Sequence, residues 1–147
     1  MSVSRTRARR LALQGLYEWQ MSANSPAEII ARLKDSKEAQ GMDTAYFQEL
    51  MQQVPAQVET LDKQLQVFMG RELSESDGVE RAVLRLGAYE LIARLDIPYR
   101  VAINEAVELA KRYGGEQGHR FVNGILDKLA AEVRAIEIAA KAGKKTS

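Results

Sequence analysis

The stretch Gly118–Ile136, GHRFVNGILDKLAAEVRAI, decides the fold class. Val122, Ile125, Leu126, Leu129, Val133 and Ile136 stand at i, i+3, i+4, i+7, i+11 and i+14. That spacing lines one face of a 3.6-residue helix. Asp127, Lys128, Glu132 and Arg134 fall on the opposite, solvated face. The pattern predicts one amphipathic helix through Ile136, followed by a frayed basic tail from Lys141 to Ser147.

Working outward, helical periodicity recurs and strand alternation is scarce, so the chain reads as all-α. Residues 79–95 are apolar over most of the circumference, as in a central buried helix. Ser76 and Asp77 are its candidate N-caps. Beyond Pro98, a helix from Tyr99 to Tyr113 carries the stripe Ala102, Ala106, Leu109, Ala110 and Tyr113. Glu108 and Arg112 form an i, i+4 pair on its wet side, and Gly114-Gly115 supplies a left-handed stop. Nearer the N-terminus, one helix runs from about Ser4 to Met21, and Asn24-Ser25-Pro26 breaks the chain and starts another, to about Asp35. Lys37–Asp43 is a loop. The helix starting near Thr44 is kinked or divided at Pro55, resumes through Val58, Leu61, Leu65 and Phe68, and stops at Gly70. A short repeat, Gly15-Leu16-Tyr17-Glu18 against Gly87-Ala88-Tyr89-Glu90, suggests two related sub-bundles. Gly15 and Gly87 would let neighbouring helices approach closely.

Composition removes several classes of function. The 147 residues contain no cysteine and one histidine. Disulfides, thiolate chemistry and multi-histidine metal sites are therefore excluded. Cysteine absence suits a reducing cytoplasm. No apolar run approaches the ~18 residues of a membrane span. Neither a phosphate-binding glycine loop nor a dinucleotide fingerprint is present. A Ser-His-Asp triad would have to use His119, and no nucleophile elbow accompanies it. The reading is of a protein without enzymatic activity and without a cofactor.

Charge is distributed unevenly. The net charge is +1, but residues 1–17 carry +4, residues 18–80 carry −7 and residues 81–147 carry +4. Two basic ends around an acidic middle suggest a polyanion on one surface and a different partner on another. The sharpest feature is Arg5, Arg7, Arg9 and Arg10 opening a helix. A helix N-terminus prefers acids, so these arginines oppose the local field by about a few tenths of a kcal/mol each. Guanidinium forks beside free N–H groups make a phosphate site; the bland alternative is a solubilising terminus. Arg5 and Arg9 share one face, Arg7 and Arg10 another. An Arg-rich, acid-poor start also suits an organellar transit peptide, but this one runs directly into the core-like Leu11, Leu13, Leu16 and Trp19.

A second cluster, Gly118-His119-Arg120-Phe121-Val122-Asn123-Gly124, puts an aromatic, a base and an amide at a helix start. Such groups stack on unpaired bases and bond their edges. A phenylalanine heading an apolar stripe is, however, more often core. Glu72, Glu75, Asp77 and Glu80 form an acidic link, read either as favourable acids at a helix start or as a dock for a basic protein.

Four ordered blocks resemble the NusB family of transcription antitermination proteins. They are Ala8–Gln20, Val83–Leu91, Pro98–Lys111 and Phe121–Lys128. The resemblance implies an all-α fold of about seven helices in two packed sub-bundles, about 4–70 and about 76–139. Together they make one domain over 1–147, with a basic tail at 140–147. It implies binding of the single-stranded boxA element of ribosomal RNA leader transcripts, together with NusE, a basic ribosomal small-subunit protein. Other Nus factors and RNA polymerase complete the assembly, and some family members self-associate as homodimers. Carried over by position, the RNA-facing residues are Arg5, Arg7, Arg9, Arg10, Gln117, Arg120 and Phe121, and the NusE-facing residues are Tyr17, Glu75 and Glu80. The family often has an acid at Gln117 and an arginine at Thr6. The same fold also forms the N-terminal domain of certain ribosomal RNA cytosine methyltransferases, whose cysteine nucleophile this chain lacks.

Overall fold

The computed structural model describes residues 2–146, with side chains described through Gly143; Met1 and Ser147 lie outside it. Among the described residues the secondary structure is helical throughout. Helix α1 spans Val3–Met21, α2 Pro26–Leu33, α3 Thr44–Ala56 and α4 Val58–Gln66. Helix α5 spans Gly78–Ala93, α6 Tyr99–Tyr113, α7 Gly118–Val133 and α8 Ala135–Thr146. Short 3₁₀ turns occupy Lys37–Ala39 and Leu73–Glu75. None of these helices is long and apolar enough to cross a membrane.

Local chemistry sets the boundaries. The Ser2 hydroxyl caps α1, Ser25 caps α2 ahead of Pro26, and Asp43 caps α3. The Asp77 carboxylate accepts from Val79 N and Glu80 N at the start of α5. Each such cap satisfies N–H groups that have no intrahelical acceptor, for about 1 kcal/mol. Pro55 sits in the last turn of α3, and the chain divides at Gln57 rather than kinking.

Helices α1, α2 and α3 pack on one another, and α5, α6 and α7 form a second layer. α1 lies against α5, joining the two, and α4 leans mainly on α5. One continuous core results, from Leu11, Leu16, Phe47, Leu50 and Met51 to Leu84, Leu86, Leu126 and Leu129. The glycine repeat marks both close approaches. A Cβ on Gly15 would stand 2.7 Å from the Met51 sulfur, and one on Gly87 would stand 2.7 Å from Leu126 Cδ1.

Three expectations are corrected. The C-terminal stripe is not one helix: α7 ends at Val133, α8 restarts at Ala135, and Ile136 is 88% exposed. The cause is Arg134, expected on the wet face but 3% exposed. Its guanidinium donates to the carbonyls of Leu91 (2.7 Å), Ile97 (2.9 Å), Glu90 (3.1 Å) and Arg94 (2.9 Å), and pairs with Glu137. The side chain thus caps carbonyls at the end of α5 and in the loop beyond it, adding to the backbone bonds that Arg94 N and Ile97 N make there. Second, Gly114 is extended rather than left-handed, with φ −92° and ψ −178°. Only Gly41 has positive φ among the described residues. Third, Glu108 pairs with Lys111 at 3.5 Å, leaving Arg112 beside Tyr113.

Candidate nucleic-acid interface

The arginines of α1 divide by face. Arg9 is in phase with Ala12, Leu13 and Leu16, three, four and seven residues on, so it points inward. It is 2% exposed. Its Nε donates to Glu90 at 2.8 Å, and its Nη1 lies 3.3 Å from Glu105. The Tyr46 hydroxyl also donates to Glu90, and Thr6 Oγ1 donates to Glu105 at 2.7 Å. Burial pushes the Glu90 carboxyl up, and Arg9 pulls against that. Arg9 is therefore withdrawn from the expected RNA contacts: it has no surface to offer a phosphate, and its charge is committed to two carboxylates. Thr6 is part of the same internal lock.

Arg5 is half-buried on the same side of α1, with its guanidinium 4.9 Å from the Tyr46 ring centroid and 4.0 Å from Asp43. Arg7 and Arg10 are exposed on the other side. Arg7 Nη1 donates to the Gln40 carbonyl at 3.0 Å. Its guanidinium covers Gly41, whose φ of +75° and lack of Cβ make that contact possible. Arg10 has no carboxylate partner among the described residues. Arg7, Arg10, Gln14 and Tyr17 stand at i, i+3, i+7 and i+10, forming a polar stripe along α1.

The start of α7 connects to this stripe through α5: Tyr17 lies on Gly78, and Glu80 lies on Gly118. Gln117 and Arg120 are exposed. Phe121 is both things that its sequence allowed: it packs against the core, yet keeps partial exposure, and the Arg71 guanidinium lies 4.7 Å from its ring centroid. Arg71 also reaches Glu80 at 3.8 Å. Glu80 lies along Gly118, at the seam between α5 and α7. Its carboxyl is pushed up, first by burial, then by Asp77, against the pull of Arg71. Glu75 is exposed in the 3₁₀ turn, and Tyr17 is 40% exposed over the first turn of α5. Of the expected partner residues, Tyr17 continues the α1 stripe, Glu80 pairs with Arg71 beside Phe121, and Glu75 stands exposed in the 3₁₀ turn.

Sequence reasoning missed Arg71, Arg112 and Tyr113. Tyr113 is the last member of the apolar stripe that the spacing predicts for this helix, yet is 45% exposed. Its terminal position, directly before Gly114-Gly115, was the available signal: there is no further turn for a core to cover. The arrangement supplies cations, aromatic rings and amides, the groups that bind phosphates and bases. Among the described residues no His, Cys, Asp and Glu cluster is placed to hold a metal.

Comparison with known proteins agrees with this architecture. The NusB family model matches residues 6–131. Transcription antitermination protein NusB of Nitrosococcus oceani is 51% identical over 142 residues, covering 97% of this chain and 95% of the relative. The protein of that name from Acinetobacter baylyi is 52% identical over 134 residues, covering 91% and 90%. Among solved structures, T. maritima NusB superposes with a TM-score of 0.79 at 31% identity, covering 90% of this chain and 94% of that one. A chain in the crystal structure of the antitermination factors NusB and NusE in complex with dsRNA gives a TM-score of 0.81 at 27% identity, covering 88% and 98%. Motif order, helix order and superposition converge, and the chain belongs to the NusB family.

Proposed function

We propose that this chain is an RNA-binding transcription antitermination factor of the bacterial cytoplasm. It recognises boxA RNA of ribosomal RNA leaders in complex with the ribosomal protein NusE, joins other Nus factors on RNA polymerase, and promotes read-through. The observation that carries the reading is the solvent-facing stripe Arg7–Arg10–Gln14, together with the exposure of Gln117 and Arg120 at the start of α7. Arg7 and Arg10 hold phosphates, with Arg5 at the margin. Gln117, Arg120 and the exposed part of Phe121 meet bases and their flanking phosphates. Tyr17, Glu75 and Glu80 face NusE, where acids opposite a basic protein orient docking. The names of the relatives and the solved NusB–NusE–dsRNA complex support this reading.

The test is affinity for a labelled single-stranded boxA RNA, a scrambled control and the corresponding duplex. Each is measured with and without NusE at two salt concentrations. Preference for boxA that strengthens with NusE and weakens with salt is expected. Equal, weak binding to all three RNAs would leave only a nonspecific basic surface. Self-association over this face would appear as affinity that falls with protein concentration.

A further inference from the structure

The last turn of α6 and the outer face of α1 enclose a groove of about 260 Å³. Arg7, Arg10, Gln14, Arg112 and Tyr113 line it, and its one acid is Glu38. A second depression, of about 300 Å³, shares Arg10, Gln14 and Tyr113 with the first and continues to Tyr17 and Val79. Tyr113 is therefore the ring common to both. Its exposure of 45% means that the core does not use it fully. Arg112 lies 5.5 Å from the ring centroid, on a helix where Lys111 has taken the nearby Glu108. Three guanidiniums thus line the groove that holds this half-exposed ring, with a side-chain amide alongside.

We propose that this groove is a nucleotide subsite in which Tyr113 is the stacking platform for an unpaired base. The proposal rests on the RNA-binding reading above and extends it to α6. With Arg112 on one face of the phenol ring, the base takes the other, giving a guanidinium–phenol–base stack. Gln14 is placed to bond the base edge, and Arg7, Arg10 and Arg112 hold the flanking phosphates. Arginine suits both tasks, because its planar fork stacks on rings and pairs with phosphate oxygens. The adjoining depression gives the chain a path toward Val79. Glu80, the next residue, packs on Gly118 at the start of α7, so the subsite and the Phe121 surface lie on one track.

The experiment compares Tyr113→Ala, Tyr113→Phe and Arg112→Ala in the full chain, with labelled single-stranded boxA RNA over a series of salt concentrations. Loss of one stacked base weakens binding about 5- to 150-fold, so Tyr113→Ala should fall in that range. Its log–log salt slope should stay at the wild-type value, because no phosphate contact is lost. Tyr113→Phe should bind like wild type, since stacking needs the ring and not the hydroxyl. Arg112→Ala should flatten the slope by about 0.7. Thermal melting separates folding from binding: Tyr113→Ala should melt cooperatively a few degrees below the wild type and remain folded at the assay temperature. Wild-type affinity in Tyr113→Ala, with loss in Arg7→Ala/Arg10→Ala, would overturn the subsite and leave the RNA reading standing. Wild-type affinity in both would overturn the RNA reading of this face as well.

Discussion

The two sides of α1 use one residue type for opposite purposes. Arg9 is enclosed between Glu90 and Glu105, whereas Arg10, the next residue, stands in the open groove. Arg5 leans with Arg9 toward Tyr46, and Arg7 stands with Arg10. What separates them is helical phase: a step of one residue turns the side chain by about 100°. A run of arginines is therefore not one basic patch. One face holds the two helical layers together, and the other is left for an outside anion.

The comparison breaks most easily at Arg9. Arg9→Ala strands two carboxylates in the interior and should cost about 3–5 kcal/mol in urea denaturation, as for other broken buried pairs. A cost below about 0.5 kcal/mol, the usual range for an exposed site, would return Arg9 to the surface set. Arg134→Ala sharpens the contrast with a second inward arginine. It removes the guanidinium from four carbonyls, two in α5 and two in the loop that follows, and should cost about 3 kcal/mol by the same measurement. Gly15→Ala and Gly87→Ala test the close helix approaches that frame the buried lock. Each should cost about 1–3 kcal/mol through overpacking, whereas Gly124→Ala, with open space at its Cβ, should be neutral or stabilising by about 0.5–1 kcal/mol. On the outer face, Arg7→Ala/Arg10→Ala should leave stability within about 0.5 kcal/mol of wild type.

The smallest expected effect is one of pH. Burial raises the Glu137 carboxyl, but the Tyr99 N–H and the Arg134 guanidinium outweigh it, so the group sits below its usual range. A depressed carboxylate contributes stability above its unfolded pKa and loses it as pH falls through the folded value. Wild type should therefore lose stability on acidification below about pH 4.3 more steeply than Glu137→Gln. Parallel pH profiles would detach Glu137 from the Arg134 cap.

Most of the helical order was legible because apolar spacing, caps and proline each act locally. Pro26, Asp77 and Pro98 start or precede helices for reasons contained within a few residues. Arg134 was not legible as a helix break: its acceptors are carbonyls of α5 and the following loop, about 40 residues away in sequence. The placement of Arg9 did leave a trace. Glu105 interrupts the stripe of Ala102, Ala106 and Leu109, and Glu90 sits on the apolar side of α5, so two acids at core positions were waiting for a base. The sequence repeat hid a difference for the same reason. Glu18 pairs with Arg32 at the surface, while its counterpart Glu90 is buried with Arg9. Tyr113 was misplaced because periodicity reports direction and not where the neighbouring helix ends.

The most direct test of the account is the salt dependence of boxA RNA affinity for Arg7→Ala/Arg10→Ala beside wild type. Two lost phosphate contacts should lower the magnitude of the log–log slope by about 1.4, with folding unchanged. Slopes that coincide, at equal affinity, would contradict the assignment of the outer face of α1 to RNA.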